Sequence, residues 1–266
     1  MMPNRELTVD LDCDITIGTD QVIKVPMGLS VNLVGTSQFN LTQNGKIKGE
    51  QFKRSRITKT GQGPSISLND CHECEVENLN LLGENIIPNL TNGISIDSNS
   101  TNNKIDAVTM QNLGTGILVA GSCNTFADLQ FFNVGSDLDD CFANDNNNAA
   151  VHVNNSSQNH FTNIVHTSSP GAISLWLNGE CDLNVCLNLT MVQEFSECFE
   201  VRGGDPALYV DSGDLCDSNY IATNYNNGLS LIQNSRDTFS VYNTVTGAND
   251  GCCTAIRMKD IIFNCN

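Results

Sequence analysis

The sequence predicts an all-β, single-stranded right-handed parallel β-helix of about nine to eleven coils. Three observations predict it. A small residue followed by alternating apolar residues recurs along the chain, a second apolar spacing follows each such pair, and no segment carries helical periodicity. A unit of roughly 18 to 35 residues built this way returns above its own start, and only stacking on its neighbours buries its inner face.

The first part of the unit is the alternating pair: Ile66/Leu68, Ile94/Ile96, Ile117/Val119, Val151/Val153, Leu175/Leu177, Leu208/Val210, Leu229/Leu231 and Ile256/Met258. A period of two marks a strand buried on one face. The second part sets apolar residues two, five and seven positions after a polar or small anchor. From Asn103 these are Ile105, Val108 and Met110; from Asn124, Phe126, Leu129 and Phe131; from Asn159, Phe161, Ile164 and His166. Cys74, Asn184 and Asp237 start the same spacing. The unit therefore reads as two short strands. Asn suits the anchor because it tolerates the left-handed turn and its amide bonds backbone or a neighbouring Asn. Asn103, Asn124, Asn159, Asn184 and Asn219 are expected to form a ladder.

Residues 1–62 read as N-terminal coils and cap, and 63–266 as regular coils of one continuous domain. The apolar pattern still runs at Asp260–Asn266, so the expectation is a fragment, or a coil end that another molecule covers. The segments Asn92–Ile105 and Thr115–Phe126, and the opening stretch Ile23–Gly35, resemble coils of the pectate-lyase-like right-handed β-helix superfamily. The resemblance implies the fold over nearly the whole chain. It does not imply one activity, since lyases, hydrolases, epimerases, tailspikes and adhesins share this architecture.

A hydrophobic fraction of 39% over 266 residues suffices for a continuous core. The net charge of −17, from 30 acidic and 13 basic residues, excludes nucleic acid and anionic membrane surfaces as natural partners. No apolar run is long enough for membrane insertion. Lys46, Lys48, Lys53, Arg54, Arg56 and Lys59 gather in one early segment, read as a solvated face or a docking patch for an acidic neighbour.

The twelve cysteines, Cys13, Cys71, Cys74, Cys123, Cys141, Cys181, Cys186, Cys198, Cys216, Cys252, Cys253 and Cys265, are spread along the chain as disulfides of an oxidising compartment are. Cys71 and Cys74 have CxxC spacing without a second pair at zinc-finger distance. Sequons begin at Asn40, Asn89, Asn99, Asn154, Asn155 and Asn188, and with the cysteines they point to a glycosylated protein that is secreted, extracellular or at a cell surface. Residues 1–20 lack the layout of a signal peptide, so the expectation is a mature or truncated chain.

Unit length varies by insertion at Glu84–Thr91, Gly135–Asn148 and Val192–Asp205. Insertions at one phase of a solenoid emerge on one side, where a site is expected. Asp137, Asp139, Asp140 and Asp145 form a carboxylate group of the kind calcium bridges. Asp139-Asp140-Cys141 resembles the acid segment of polygalacturonase-like hydrolases, but their Asn-Thr-Asp and Gly-His-Gly are missing. Arg202, among Glu194, Glu197, Glu200 and Asp205, is the candidate base for a lyase. His152, His160 and His166 share one coil, but strand alternation turns His152 outward and His166 inward, so they do not converge. Trp176 alternates with inward Leu175 and Leu177 and is the candidate ligand-binding residue, placed to stack on a sugar.

The function expected from these readings is structural: a β-helix that docks through its coil ends into an extracellular fibre or coat, on other copies of itself or another structural protein. The alternatives are a carbohydrate-active enzyme in an acidic, calcium-binding groove and a carbohydrate-binding adhesin.

Overall fold

The computed structural model describes residues 7–84, 91–135, 149–168, 173–178, 181, 183–193, 206–217, 220–226, 229–236, 239–241 and 257–258, with Trp176 and all from Asn188 among those described as backbone only. Every regular element among them is a strand. In chain order these are β1 (Leu7–Leu11), β2 (Ile15–Ile17), β3 (Val22–Val25), β4 (Leu29–Leu33), β5 (Phe39–Leu41), β6 (Lys46–Gly49), β7 (Arg56–Lys59) and β8 (Gly63–Leu68). There follow β9 (Glu75–Glu77), β10 (Asn80–Gly83), β11 (Thr91–Ile96), β12 (Lys104–Asp106), β13 (Thr109–Gln111), β14 (Thr115–Val119), β15 (Thr125–Phe132) and β16 (Ala149–Asn154). The remainder are β17 (His160–Ser168), β18 (Ile173–Asn178), β19 (Val185–Gln193), β20 (Pro206–Asp217), β21 (Tyr220–Asn226), β22 (Leu229–Arg236), β23 (Phe239–Val241) and β24 (Arg257–Met258).

The strands stack in parallel into three faces, each turn adding one strand to each. The first face runs β1-β4-β7-β10-β13, the second β2-β5-β8-β11-β14-β16-β18-β20-β22-β24, and the third β3-β6-β9-β12. β15 pairs with β12 through its first half and β13 through its second, and β17, β19 and β21 follow it. This is a right-handed parallel β-helix. About six turns carry the complete cross-section, fewer than the nine to eleven coils expected. Beyond them regular pairing lapses, with register shifts between Pro206 and Leu208 and between Asp211 and Cys216.

The unit has three strands rather than two. The apolar spacing of two, five and seven crosses a corner at position four, where Asn78, Ala107, Asp128 and Asn163 take left-handed backbone with φ of 57°, 52°, 52° and 57°. One apolar residue then lines the third face, one the corner and one the first face. Phe126, Leu129 and Phe131 are all fully buried in this way, and Phe126 stacks on Phe161 one turn on, centroids 4.5 Å apart. Each such aliphatic or aromatic burial is worth about 1.5 to 3 kcal/mol.

The asparagine ladder forms between the second and third faces. Asn103 donates its backbone N–H and its amide to Asn124 Oδ1, both at 3.0 Å. Asn124 bonds Asn159 at 3.0 and 3.2 Å, and Asn159 bonds Asn184 at 3.0 and 3.1 Å. Cys74 supplies the first step through its N–H to Asn103 Oδ1, 2.9 Å. Asn219 lies outside the described residues. The anchors themselves are not left-handed; the residue before each is, with φ of 59° at Glu73 and Asn102, 61° at Cys123 and Gln158, and 54° at Leu183. The turn is thereby made one residue early, which frees the asparagine to spend its amide on the stack.

Candidate functional site

Each of the three insertions follows a strand of the first face and precedes one of the second: β10 to β11, β15 to β16, and β19 to β20. The strands that flank them thus belong to the same two faces and meet at one corner of the solenoid, while residues 85–90, 136–148 and 194–205 lie outside the described residues. Asp137, Asp139, Asp140, Asp145 and Arg202 lie outside the described residues, as do Glu194, Glu197, Glu200 and Asp205. Among the described residues no group of His, Cys, Asp and Glu is arranged to hold a metal ion.

Lys59 reaches this same corner from within. It occupies the inward file between Leu33 and Gly83 and is 1% exposed, so it is not part of the basic surface segment. At Gly83, one turn on in the same file, a Cβ would stand 2.0 Å from the Asn112 carbonyl, so the next turn passes too close for any side chain there. The ammonium donates to the Ser37 carbonyl. Burial pushes the Lys59 pKa down, opposed by the charge of Asp14. For a base whose folded pKa is depressed, the unfolded chain holds the proton more tightly, so stability rises as pH climbs through the folded value toward 10.5. Lys59→Met keeps the apolar stem and removes the charge. Its denaturation midpoint is expected to lose that alkaline rise, and to change by no more than about 1.5 kcal/mol at neutral pH.

Two other early lysines, Lys46 and Lys48, are paired within the chain. On the third face Lys46 and Lys48 pair with Glu75, Lys48 pairs with Glu77 at 2.9 Å, and Lys104 pairs with Glu77 at 3.0 Å and Asp106 at 2.8 Å. Register causes this, because Lys46, Glu75 and Lys104 occupy one outward file and Lys48, Glu77 and Asp106 the next. Hydrogen bonds from Lys46 and then Lys48 hold the Glu75 carboxyl below its ordinary value of 4.5. Burial raises Glu77, but hydrogen bonds from Lys48 and Lys104 outweigh it. Both carboxyls have depressed folded pKa values, so their stabilisation is present above pH 4.5 and lost as pH falls through the folded values. Glu75→Gln is expected to cost about 1 kcal/mol in urea titrations at pH 7 and 0.1 M salt, and much less in 1 M salt.

One register file of the second face runs through Leu118 and His152 into strands described as backbone. Successive pairings place Leu118, His152, Trp176 and Tyr209 at one register position in four consecutive strands. His152 keeps the outward phase but is 3% exposed, and burial pushes its pKa down to about 4. His166 points into the core, where its Nε2 donates to the Val134 carbonyl at 3.0 Å and its ring meets Phe131 edge-on at 6.1 Å. Burial pushes His166 to about 4 against the pull of that carbonyl. The exposed His160 lies on the third face, so the three histidines do not converge.

Cys71 and Cys74 are disulfide-bonded across the corner where the ladder starts, Cα atoms 6.1 Å apart, and both are fully buried. The CxxC spacing is thus a staple. Cys13 and Cys123 are exposed thiols, and Cys186 is a buried one whose pKa burial pushes up to about 12. Cys181 is buried with its Sγ 3.6 Å from the Val153 carbonyl. Cys216 falls in β20, and Cys141, Cys198, Cys252, Cys253 and Cys265 lie outside the described residues. Of the sequons, Asn99 and Asn155 are exposed, Asn154 is half-buried, and Asn40 is half-buried with its amide 3.2 Å from Asp14 Oδ2. Asn188 is described as backbone in β19, and Asn89 lies outside the described residues.

Among the described residues the N-terminal rung is paired on one side, as β23 and β24 are at the other limit. β1, β2 and β3 pair only with β4, β5 and β6, on one side. Leu7 and Val9, whose register partners Leu29 and Val31 line the inward files, are 65% and 41% exposed. Ile15 and Ile23 are half-buried at the same end. The same rung carries Asp10 in β1 and Asp12, Asp14 and Asp20 in the connections between β1, β2 and β3. No helix among the described residues is long and apolar enough to cross a membrane.

No family model and no curated protein matches the chain. Among solved structures it is similar to the catalytic domain of a GH87 alpha-1,3-glucanase in complex with nigerose, at 12% identity and TM-score 0.33 over 92% of this chain and 62% of that one. It is also similar to the tailspike protein of Acinetobacter phage vB_ApiP_P1, at 14% identity and TM-score 0.33 over 82% of this chain and 46% of that one. The chain thus spans less than two thirds of the length of either neighbour. The class of the molecule, a parallel β-helix, rests on its own rungs and registers.

Proposed function

We propose that the chain is a secreted, glycosylated β-helix with a structural role, docking through its coil ends into an extracellular assembly. The observation that carries this reading is the open first rung, with Leu7 and Val9 exposed over the inward files. A parallel edge with apolar side chains in water is an unfavourable end for a solenoid and a favourable surface for another chain. Exposed Asn99 and Asn155 support glycan attachment away from that end. Material isolated from its native source is expected as particles several times the 28.8 kDa mass of one chain, elongated in electron micrographs. A lone species of one-chain mass in that material overturns the reading.

A second reading, carbohydrate binding, is favoured by the register of the second face, where His152, Trp176 and Tyr209 hold one position in successive strands. Strands spaced about 4.8 Å apart set ring-bearing residues at the scale of a saccharide surface. Trp176→Ala is expected to abolish retardation of the protein in gels cast with the polysaccharide it binds, with its thermal transition unchanged.

A further inference from the structure

We infer that Cys181 and Cys216 are joined by a disulfide that runs along the corner of the asparagine ladder and ties one turn to the next. Cys71, Ser100, Gly121, Ser156 and Cys181 each stand four residues before Glu75, Lys104, Thr125, His160 and Val185, which pair in succession. They therefore form one file. Every member is buried, Cys71, Ser100 and Cys181 fully so and Ser156 with 1% exposed. Successive members meet across turns: the Cys71 N–H donates to Ser100 Oγ at 3.0 Å, and Ser156 Oγ donates to the Gly121 carbonyl at 2.6 Å. Cys181 is enclosed in the same corner, its Sγ 3.6 Å from the Val153 carbonyl.

Register carries the file one step further. Val185 pairs with Tyr220, and Cys216 stands four residues before Tyr220, so Cys216 takes the place next to Cys181. The following turn gives the same phase, because Cys216 pairs with Ser235, four residues before Phe239, and Phe239 is the partner of Tyr220. In-register neighbours on parallel turns stand about 4.8 Å apart, inside the range of about 4.4 to 6.8 Å between Cα atoms that a disulfide spans. Cys186 is the rival partner. Its register neighbours are Phe161 and Ile221, and Asn184 intervenes between it and Cys181 with its amide on the Ser156 carbonyl. The place of the bond matters, since five positions separate Asp211 from Cys216 while two separate their partners Gln233 and Ser235. A strand with surplus residues can slip by one, which turns its apolar set to the wrong face. A covalent bond at Cys216 fixes where regular stacking resumes. In forming it each thiol gives up one proton and one electron, and a small-molecule disulfide of an oxidising compartment takes them up and leaves as two thiols. The inference takes this oxidant from the secreted reading and nothing from end docking.

The test refolds the full chain in a mixture of reduced and oxidised glutathione, blocks remaining thiols with iodoacetamide, and cleaves after Glu and Asp without reduction. Cuts at Glu180, Asp182, Asp214 and Asp217 place Cys181 and Cys216 on separate short peptides, each free of any other cysteine. Mass spectrometry is expected to find the two joined, two hydrogens lighter than their sum, and parted by reductant. Cys181→Ser/Cys216→Ser supplies the residue that Ser100, Ser156 and Ser235 already contribute to the file, so folding is expected to survive. In oxidised protein its thermal midpoint is expected on the order of 5 to 10 °C below that of the wild type. Reductant is expected to close that gap, since both chains then lack the bond. Cys181 recovered alkylated, or joined to Cys186 or any other cysteine, in protein whose bond between Cys71 and Cys74 is intact overturns the pairing. A gap as large in reductant as without it does the same. If the refolded chain holds the bond while natively isolated chain carries thiols at both positions, the pairing stands and the secreted reading fails. Thiols at both positions in the refolded chain overturn the pairing and leave the secreted reading standing, because the oxidant was supplied.

Discussion

Asn124→Ala is expected to destabilise the protein by about 2 to 5 kcal/mol, the largest effect of any single polar substitution in the described coils. The substitution removes the acceptor for the backbone N–H and amide of Asn103, both at 3.0 Å and in a residue that is 1% exposed. Two buried donors then stand unmet, and each costs about 1 to 3 kcal/mol. It also removes the amide that donates to Gly121 O at 2.8 Å and Asn159 Oδ1 at 3.2 Å, although Ser156 still donates to Gly121. Urea unfolding followed by circular dichroism reads the loss as a lower midpoint at unchanged slope. Asn124→Asp keeps the acceptor and replaces the donor with a buried charge, so it is expected to be at least as damaging at pH 7 and to recover in part at acid pH. A midpoint shift under 0.5 kcal/mol for Asn124→Ala, about the scale of an ordinary surface substitution, contradicts the ladder's role.

The second large effect is acid unfolding driven by two buried imidazoles. His152 and His166 are held near a pKa of about 4 by burial, against an ordinary 6.5. For a base with a depressed folded pKa, the unfolded chain takes the proton first. The stability carried by the neutral rings is therefore whole above pH 6.5 and drains as pH falls from 6.5 toward 4. Each ring accounts for a loss on the order of 3 kcal/mol across that window. His166 pairs in register with the buried Phe131 on one side and with Met191 on the other, so His166→Met fits the sequence pattern of the file at the cost of the Val134 contact. The variant is expected to flatten the slope of stability against pH between 6.5 and 4 by about half, as read from thermal midpoints in a buffer series. An unchanged slope places the acid sensitivity elsewhere. The carboxylate pairs of the third face act at lower pH, so the two contributions separate on the same curve.

Much of the column was legible in the residues because alternation and the two-five-seven spacing are direct images of which side chains a turn buries. Ile66, Ile94, Ile117 and Val151 stack at one register position, as their spacing requires. The ladder was legible too, because a buried asparagine at each repeat has few other ways to satisfy four hydrogen-bonding groups. The third strand was hidden, since a corner made by a single left-handed residue such as Ala107 or Asp128 leaves no glycine or proline to mark it. Lys59 was hidden for a different reason. Its ammonium is met by the Ser37 carbonyl a turn below, a contact that no local pattern contains. The pairing of Lys46 and Lys48 with Glu75 and Glu77 is likewise a product of register 27 to 29 residues apart.

The candidate site divides along the same line. Insertion at one phase followed from unit length alone, and the strands that flank all three insertions belong to the same two faces. Trp176 is joined to His152 and Tyr209 only through strand pairing, which the sequence shows one residue at a time.

The account depends above all on successive turns being bonded edge to edge, so that the amide protons of Asn103, Asn124 and Asn159 are sealed inside the stack. Amide hydrogen exchange followed by nuclear magnetic resonance measures this directly. The backbone protons of these three residues are expected to exchange only through global unfolding, among the slowest in the chain, and to slow and quicken together as denaturant is varied. Exchange of all three within minutes under native conditions, while the protein remains folded, contradicts the stacked column and every site placed upon it.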